Sequence, residues 1–222
     1  MVVELVGPAG VGKTTLAHNI QRANSRVHVG LSLWQVPAAR LVQGAVALVP
    51  TIIVSALRKR RLRWREIRHM IRLDALRHAV RPERGAARGK RKHIILLDEG
   101  PVFGIGWLDV AFAERGVEAP VRWRRRVVRR WAELLDSVVL LDAGDRVLAS
   151  RIRTRFKRHR MKRSSDAALR RFAGVFRKAY DAVIAELSSS GAVAVQVART
   201  DGSLPRSAAR VNALLERHRD GH

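Results

Sequence analysis

The sequence predicts an α/β fold in three layers, with a mainly parallel, five-stranded sheet between helices on both of its faces. Short apolar runs alternate with helical periodicities along the chain, which is the pattern of strand–helix–strand units. The chain has 222 residues, 47% of them hydrophobic, which is enough for one sizeable core and short for two full domains. We therefore expect a single domain over residues 1–222.

The predicted strands are apolar runs of five or six residues. They lie at residues 2–6, 27–31, 93–98, 137–141 and 192–197, with helices between them and a last helix near residues 204–218. A continuous run such as "HIILLD" suits a parallel strand that is buried on both faces. In such a sheet the ligand binds beyond the carboxyl ends of the strands.

The first strand leads directly into "GPAGVGKTT", which matches the phosphate-binding loop G-x-x-x-x-G-K-[ST]. Glycines allow the backbone to bend so that successive N–H groups point at phosphate oxygens, and the helix that follows adds the positive end of its dipole. The predicted phosphate ligands are Gly7, Gly10, Val11, Gly12, Lys13, Thr14 and Thr15. This loop predicts binding of a nucleoside triphosphate, with ATP as the expected cofactor.

Three side chains of this loop have predicted roles. Lys13 reaches the β- and γ-phosphates, Thr14 places its hydroxyl on the Mg²⁺ that bridges them, and Thr15 contacts the α-phosphate region. A carboxylate is also needed for the metal, and Asp98 at the end of the third strand supplies it as a Walker-B-like acid. Glu99 follows at once and is the candidate general base or water-positioning group.

The amino-acid composition limits which binding partners and which cellular compartment we expect. There are no cysteines, which excludes disulfides and thiolate metal sites, and the eight histidines show no ligand-like pairing. The formal charge of +25 predicts attraction to polyanions: nucleotide phosphates, nucleic acid or anionic lipid. Because no signal-like segment precedes the first strand, we expect a cytoplasmic protein.

A long interval at about residues 34–92 interrupts the strand–helix rhythm. Its first part, residues 41–57, is almost entirely apolar but contains Gly44 and Pro50. The sequence favours two core helices broken at Pro50, while a membrane span, a lining for an apolar substrate and a helix on an anionic membrane surface over residues 41–65 stay open. An amphipathic helix over residues 64–80 and a flexible basic linker over 81–92 follow.

Two arginine-rich stretches lie on either side of the fourth strand. In the first, Trp123 and Trp131 share an apolar stripe, which indicates core tryptophans. In the second, at about residues 146–163, Arg151, Arg155 and Arg158 are spaced to share one helical face. Arginines brought over a γ-phosphate stabilise the charge of its transfer, so Arg151 and Arg155 are candidate catalytic residues.

Four stretches together resemble the nucleoside and nucleotide kinase group of P-loop phosphotransferases, especially its thymidylate-kinase-like branch. They are "VELVGPAGVGKTTLA", "IILLDEGP", "VVLLDAGDRVLASRIRTR" and "VAVQVARTDGSLPRSAARVNALL". The resemblance implies a mobile arginine-bearing lid at Arg151 to Arg160. It also implies an adenine-contacting turn at Ala198, Arg199 and Thr200.

The acceptor side departs from this family. Where the branch has an acidic or Arg-Glu signature after the second strand, this chain has "VGLSLWQVP". Where it has Asp-Arg after the third strand, Glu99 and Gly100 stand here. We therefore expect an acceptor other than thymidylate, defined by the interval at 34–92.

Three functions follow from these patterns. The first is a small-molecule kinase that moves the γ-phosphate of Mg-ATP to a hydroxyl or phosphate acceptor. The second is an NTP-driven nucleic-acid-binding protein or polynucleotide kinase, and the third is a membrane-surface NTPase or lipid-type kinase. The arginine cluster and the size of the chain favour the first.

Overall fold

The computed structural model describes residues 1–58, 62–90, 93–155, 161–191 and 193–220, and its centre is a five-stranded parallel sheet. The strand order is β2-β3-β1-β4-β5. The strands are β1 (Val2–Val6), β2 (Val27–Val29), β3 (Ile94–Leu97), β4 (Ser137–Asp142) and β5 (Ala194–Arg199). Every neighbouring pair is parallel, as the alternating sequence pattern predicted.

Helices connect the strands. They are α1 (Lys13–Ala23), α2 (Ala38–Leu57), α3 (Trp64–Lys90), α4 (Pro101–Ala113), α5 (Val121–Ala132), α6 (Asp145–Thr154), α7 (Asp166–Ser190) and α8 (Leu204–Asp220). The last helix confirms the predicted one near 204–218.

The two faces of the sheet bury alternate residues of each strand, which gives the predicted three layers. On one face Val3 and Leu5 of β1 pack with α1 and α8. On the other face Val2 and Val6 pack in a larger core built with α3, α4, α5 and α7. Trp123 and Trp131 are buried in this larger core, so the prediction of core tryptophans is confirmed.

The central strand β1 determines where a ligand can bind. It pairs with β3 on one side and with β4 on the other. The connection after β1 runs to β2 on one side of the sheet, and the connection after β3 runs to β4 on the other side, so the two connections leave in opposite directions. Such a point opens a crevice at the carboxyl ends of parallel strands. The glycine-rich loop and Asp98 follow β1 and β3 at this edge.

The predicted break at Pro50 is wrong, since α2 is continuous from Ala38 to Leu57. Close packing on α3 explains its continuity: a Cβ atom on Gly44 would lie 2.4 Å from the carbonyl oxygen of Ile71. Pro50 has no N–H to donate to Val46 four residues earlier, but both residues are exposed to solvent. Tertiary contacts thus outweigh the local preference of proline.

The predicted linker over 81–92 is also wrong for residues 81–90, which continue helix α3. Arg84 holds this part of the helix against the fold. Its guanidinium donates to the carbonyl oxygen of Glu133 at 2.6 Å and pairs with Asp136 at 2.5 Å. Asp136 also accepts from the backbone N–H of Val2, so this end of α3 is tied to the first strand.

Among the described residues, α2 is the one helix whose length and composition would suffice to cross a membrane. Little of its apolar surface is buried in the fold. The opposite face packs against α3.

Candidate functional site

The glycine-rich loop adopts a backbone that side chains rarely allow. Gly10 and Gly12 have φ values of 86° and 92°, in the left-handed region that glycine adopts without strain. A Cβ atom on Gly10 would also lie 2.8 Å from the carbonyl oxygen of Leu148. The loop can therefore lie close to α6 while its backbone turns toward the start of α1.

The start of α1 is open to an anion. Helix α1 begins at Lys13. Its N-cap residue, Gly12, has no side chain that could accept a hydrogen bond from the first turn, and this turn contains no acidic residue. Unpaired N–H groups and the helix dipole at such an end favour a phosphate. Thr14 and Thr15, in the same turn, are exposed and line the adjoining cavity.

Lys13 is held over the loop. Its Nζ donates to the carbonyl oxygen of Gly7 at 2.8 Å. Burial lowers the pKa of Lys13, and the positive charge of Arg155 lowers it further, whereas the carboxylates of Asp98 and Glu99 raise it. The ammonium group thus lies within the electrostatic reach of three of the predicted catalytic side chains.

A single cavity of about 770 Å³ connects most of the predicted site residues. Those that line it are Gly7, Gly10, Val11, Gly12, Lys13, Thr14, Thr15, Glu99, Arg151 and Arg155. The volume is within the range of small-molecule sites. The chain therefore folds these separated stretches around one space.

Asp98 lies at the end of β3, beside the loop. Its side chain is buried, and its Oδ1 has no hydrogen-bond partner within the described part of the chain. A buried oxygen without a partner is costly, so it suits a cation or an ordered water. Mg²⁺ typically takes one or two carboxylates together with phosphate oxygens, and Asp98 with the Thr14 hydroxyl matches that donor set.

Arg151 joins two loops at the cavity wall. Its guanidinium donates to the carbonyl oxygens of Thr200, at 2.8 Å, and Val11, at 3.5 Å. The Thr200 hydroxyl donates to the same Val11 oxygen at 3.2 Å. Both partners of Arg151 are neutral carbonyls, so its positive charge stays available to a phosphate in the cavity.

The predicted helical face of three arginines is wrong. Helix α6 ends at Thr154, and Arg155 has an extended backbone with ψ of 132°. Arg155 therefore does not share a helical face with Arg151, but it still lines the cavity. Arg158 lies outside the described residues, as does the part of the predicted Arg151 to Arg160 lid that covers residues 156–160.

The structure does not bring Arg199 to the cavity. Its side chain is 62% exposed and pairs with Asp142 at 3.4 Å, and Ala198 is buried. Thr200, Gly202 and Leu204 line the wall instead. The predicted base-contacting turn thus meets the cavity through Thr200 and the residues after it.

Glu4 fixes the turn that follows Asp98, a role that the sequence did not indicate. Its buried carboxylate accepts from the backbone N–H groups of Gly100, Val102 and Phe103 at 3.1, 2.8 and 2.9 Å. These N–H groups belong to the first turn of α4, where negative charge is favoured. Burial nevertheless raises the pKa of Glu4 to about 7.

This carboxylate explains why glycine stands at position 100. A Cβ atom there would lie 2.8 Å from the carboxyl carbon of Glu4. A larger residue at position 100 would therefore collide with this carboxylate. A charged residue inside an apolar strand is the signal that could have identified this role from the sequence.

Aromatic side chains form a second part of the cavity lining, which we call the aromatic chamber. It consists of Trp34, Phe103, Trp107, Phe172, Phe176 and Tyr180. No local sequence pattern marks these residues as a site, because they come from a loop and two helices. The one available signal was α4, whose apolar residues surround the whole helix and so predict contacts on every side.

Stacked rings extend the aromatic chamber toward α3. His69 stacks on Trp107 with ring centroids 4.2 Å apart and meets Trp34 edge-on at 5.4 Å. Arg65 lies 4.6 Å above the Trp107 ring, and Arg72 lies 4.9 Å above Trp34. Burial, together with nearby arginines, lowers the pKa of His69 to about 3, so the imidazole is neutral.

Comparisons with known proteins identify the fold but not a family. No protein-family model and no curated protein sequence matches the chain. Solved structures do match over 97% of its length. One is a deoxyadenosine kinase from M. mycoides with the products dCMP and a flexible dCDP bound, at 14% identity, 99% coverage of that chain and a TM-score of 0.57.

Two further structures agree. The same deoxyadenosine kinase with bound dATP matches at 15% identity over all of its chain, with a TM-score of 0.54. A shikimate kinase from Bacteroides thetaiotaomicron matches at 15% identity over 98% of its chain, with a TM-score of 0.50. The chain therefore has the α/β fold of the P-loop nucleoside and small-molecule kinases.

Proposed function

We propose that the protein is a small-molecule kinase that transfers the γ-phosphoryl group of Mg-ATP to a hydroxyl group of an acceptor bound in the aromatic chamber. One observation carries the proposal: a single cavity runs from the glycine-rich loop to the aromatic chamber. A simple NTPase needs only the first part. An enzyme that transfers a phosphoryl group needs both parts open to each other.

The side chains at the glycine-rich loop have separate roles in the proposed reaction. Asp98 and Thr14 would hold Mg²⁺, which would neutralise part of the negative charge of the phosphates. Lys13, Arg151 and Arg155 supply positive charge where negative charge develops during transfer. Phosphoryl transfer itself needs little covalent chemistry from the protein, so positioning and charge account for most of the expected rate.

Glu99 is the proposed base. It lines the cavity that the glycine-rich loop and the aromatic chamber share, two residues before α4 begins at Pro101. It accepts the proton of the acceptor hydroxyl as the new oxygen–phosphorus bond forms and the bond from the γ-phosphorus to the bridging oxygen breaks. ADP leaves with the electron pair of the broken bond.

The aromatic chamber supports an acceptor with a flat, largely apolar body. The flat faces of Trp and Phe side chains stack on planar rings. Such stacking accepts rings of different chemical identity. Burial raises the pKa of Tyr180, so its phenol stays neutral and can donate a hydrogen bond to the acceptor. Similarity in fold to a deoxyadenosine kinase makes nucleosides the first class to test.

An assay of ATP consumption with Mg²⁺ tests the proposal. Purified protein is incubated alone and with nucleosides, nucleotides, sugar alcohols, aminoglycoside-like compounds, oligonucleotides and polyprenyl-type lipids. We expect one small-molecule class to stimulate consumption and to carry the phosphate afterwards. Slow hydrolysis that no acceptor changes would contradict a kinase. Phosphate on an oligonucleotide end would instead favour the polynucleotide kinase that the charge of +25 also suggests.

A further inference from the structure

Helix α2 exposes large apolar residues to solvent and buries several small or polar residues against the fold. The residues it buries are Gly44, Leu48, Thr51 and Ser55. The large residues it exposes are Val42, Val46, Val49, Ile53 and Leu57, each between 47% and 78% exposed. We call these five residues the α2 stripe. A surface helix normally shows the opposite arrangement, so the stripe suits burial against a partner.

The stripe is continuous along one side of the helix. Its members follow at intervals of four, three, four and four residues, which keeps them on one face at 3.6 residues per turn. From Val42 to Leu57 the stripe extends about 22 Å along the helix. Pro50 and Ala56 are also exposed, so the face around the stripe adds little polarity.

The charged residues of the segment around the α2 stripe are all basic. Between residues 38 and 65 the sequence has no aspartate or glutamate. Its basic residues there are Arg40, Arg58, Lys59, Arg60, Arg61, Arg63 and Arg65. An apolar helix face with a basic flank is the composition of helices that lie on anionic bilayers.

A small cleft beside the stripe has the chemistry of a phosphate site. About 200 Å³ in volume, it lies between the second half of α2 and the start of α5. Arg58, Arg122 and Arg126 line it together with the hydroxyl-bearing Thr51 and Ser55. Three guanidinium groups in one cleft repel each other unless an anion neutralises them.

Arg126 shows how the cleft is held. Its Nη2 atom lies 3.4 Å from the carbonyl oxygen of Ala47 and 3.3 Å from the Thr51 hydroxyl. Its Nε is buried without a hydrogen-bond partner in the described part of the chain. Val121, at the rim, is a further exposed apolar residue, so the cleft opens beside apolar surface on both helices.

We propose that the α2 stripe docks on an anionic phospholipid membrane, with one lipid phosphate in the cleft between α2 and α5. The helix lies in the plane of the interface. Valine, isoleucine and leucine side chains enter the boundary between headgroups and acyl chains, while the arginines meet headgroup phosphates. The α2 stripe and the cleft share no residue with the lining of the cavity, whereas Arg65 of the basic flank also lines it. The docking does not depend on the kinase proposal.

The fold and the charge favour this occupant over two others. A membrane-spanning helix would be surrounded by lipid, whereas α2 packs one whole side on α3, with Gly44 in close contact with Ile71. A symmetric pair of copies would bring two flanks of the same positive sign together. An anionic membrane satisfies both the apolar stripe and its basic flank.

Vesicle flotation tests the docking. We expect wild-type protein to float with phosphatidylcholine vesicles that contain about 30% phosphatidylglycerol and not with pure phosphatidylcholine. The double variant Val49→Gln/Ile53→Gln should weaken binding roughly tenfold or more, because two apolar side chains no longer enter the bilayer. The matched control is Val175→Gln on α7, a valine that is 49% exposed, as Val49 is 47% exposed.

Charge variants test the cleft. Arg58→Gln and Arg122→Gln should each weaken binding to the anionic vesicles about fivefold, the equivalent of one charge near the surface. Arg170→Gln, exposed on α7, should leave binding unchanged. If Arg58→Gln and Arg122→Gln bind like wild type while the stripe variant does not, the phosphate cleft is wrong.

Light scattering without lipid separates membrane docking from self-association. We expect wild type and the stripe variant to have the same mass. A wild-type dimer that the stripe variant dissociates, with no binding to vesicles, would assign the stripe to a second copy and overturn the proposal. Binding of the stripe variant to anionic vesicles at wild-type strength would overturn it as well.

Discussion

The two parts of the cavity are built in opposite ways. The part at the glycine-rich loop, which we call the phosphate part, is one contiguous stretch over residues 7–15, whose backbone turns at glycines and whose Lys13 donates to the carbonyl oxygen of Gly7. The aromatic chamber takes single side chains from the loop after β2, from α4 and from α7, and Arg65 of α3 lies at its edge. One part depends on local sequence and the other on how distant elements pack.

This difference separates recognition by the backbone from recognition by side chains. Backbone N–H groups recognise phosphate irrespective of what the phosphate is attached to. Packed side chains recognise the shape of a whole molecule, and each of them can change without disturbing the loop. Variants in the two parts should therefore affect different kinetic constants.

The largest effect is expected in the phosphate part. Lys13→Ala should lower kcat/KM about 10³-fold, because the ammonium group is lost where negative charge develops. Steady-state kinetics measures the loss, and urea unfolding shows that the fold is retained. Lys178→Ala, at an exposed position on α7, is the control. Full activity in Lys13→Ala would refute the assignment of the phosphate site.

A second variant of the phosphate part distinguishes transition-state from ground-state contacts. Arg155→Ala should lower kcat about 10²-fold and change the Kd of ATP little, since its charge acts chiefly during transfer. Pre-steady-state turnover and equilibrium titration measure the two constants. Arg170→Ala serves as the exposed control. A loss of affinity alone would make Arg155 a simple phosphate ligand.

In the aromatic chamber we expect a smaller and different effect. Trp107→Ala should raise the KM of the acceptor about tenfold, the worth of one stacking contact, with the KM of ATP unchanged. Trp107→Phe keeps an aromatic face and should retain most of the affinity. Kinetics with each substrate varied in turn measures both constants. If the KM of ATP rose instead, the chamber would belong to the nucleotide.

The same contrast determines what the sequence could predict. Gly10, Gly12 and Lys13 were predictable because the loop needs its residue types at fixed spacing within nine residues. Asp98 was predictable because it ends a buried strand. The strands themselves were placed within a few residues, since apolar runs in a parallel sheet carry a strong signal.

Features that depend on packing could not be predicted. Pro50 and the glycine-containing end of α3 read locally as a break and a linker, but contacts with Ile71 and Asp136 outweigh those preferences. Trp107 stacks on His69, 38 positions earlier, and no local pattern encodes that pair. The role of Glu4 could not be predicted either, because its hydrogen-bond partners are the N–H groups at the start of α4, almost 100 residues later in the chain.

The last effect concerns stability and pH and does not involve catalysis. Burial raises the pKa of Glu4 from 4.5 to about 7, so between those pH values the folded state keeps a proton that the unfolded state has released. The free energy of unfolding therefore falls as pH rises through this window, by up to about 3 kcal/mol. His69 acts in the opposite direction: its pKa falls from 6.5 to about 3, so its contribution to stability rises with pH between those values.

In the wild type, Glu4 and His69 change the free energy of unfolding in opposite directions over the pH range that their two windows share. Glu4→Gln removes the contribution of Glu4, so its free energy of unfolding should rise with pH more steeply than that of wild type between the ordinary pKa of Glu4, 4.5, and that of His69, 6.5. Urea unfolding at a series of pH values measures both curves. Glu118→Gln, at an exposed position, should follow wild type. Parallel curves for Glu4→Gln and wild type would show that the Glu4 carboxyl is already ionised throughout this range, and that the α4 N-terminus outweighs its burial.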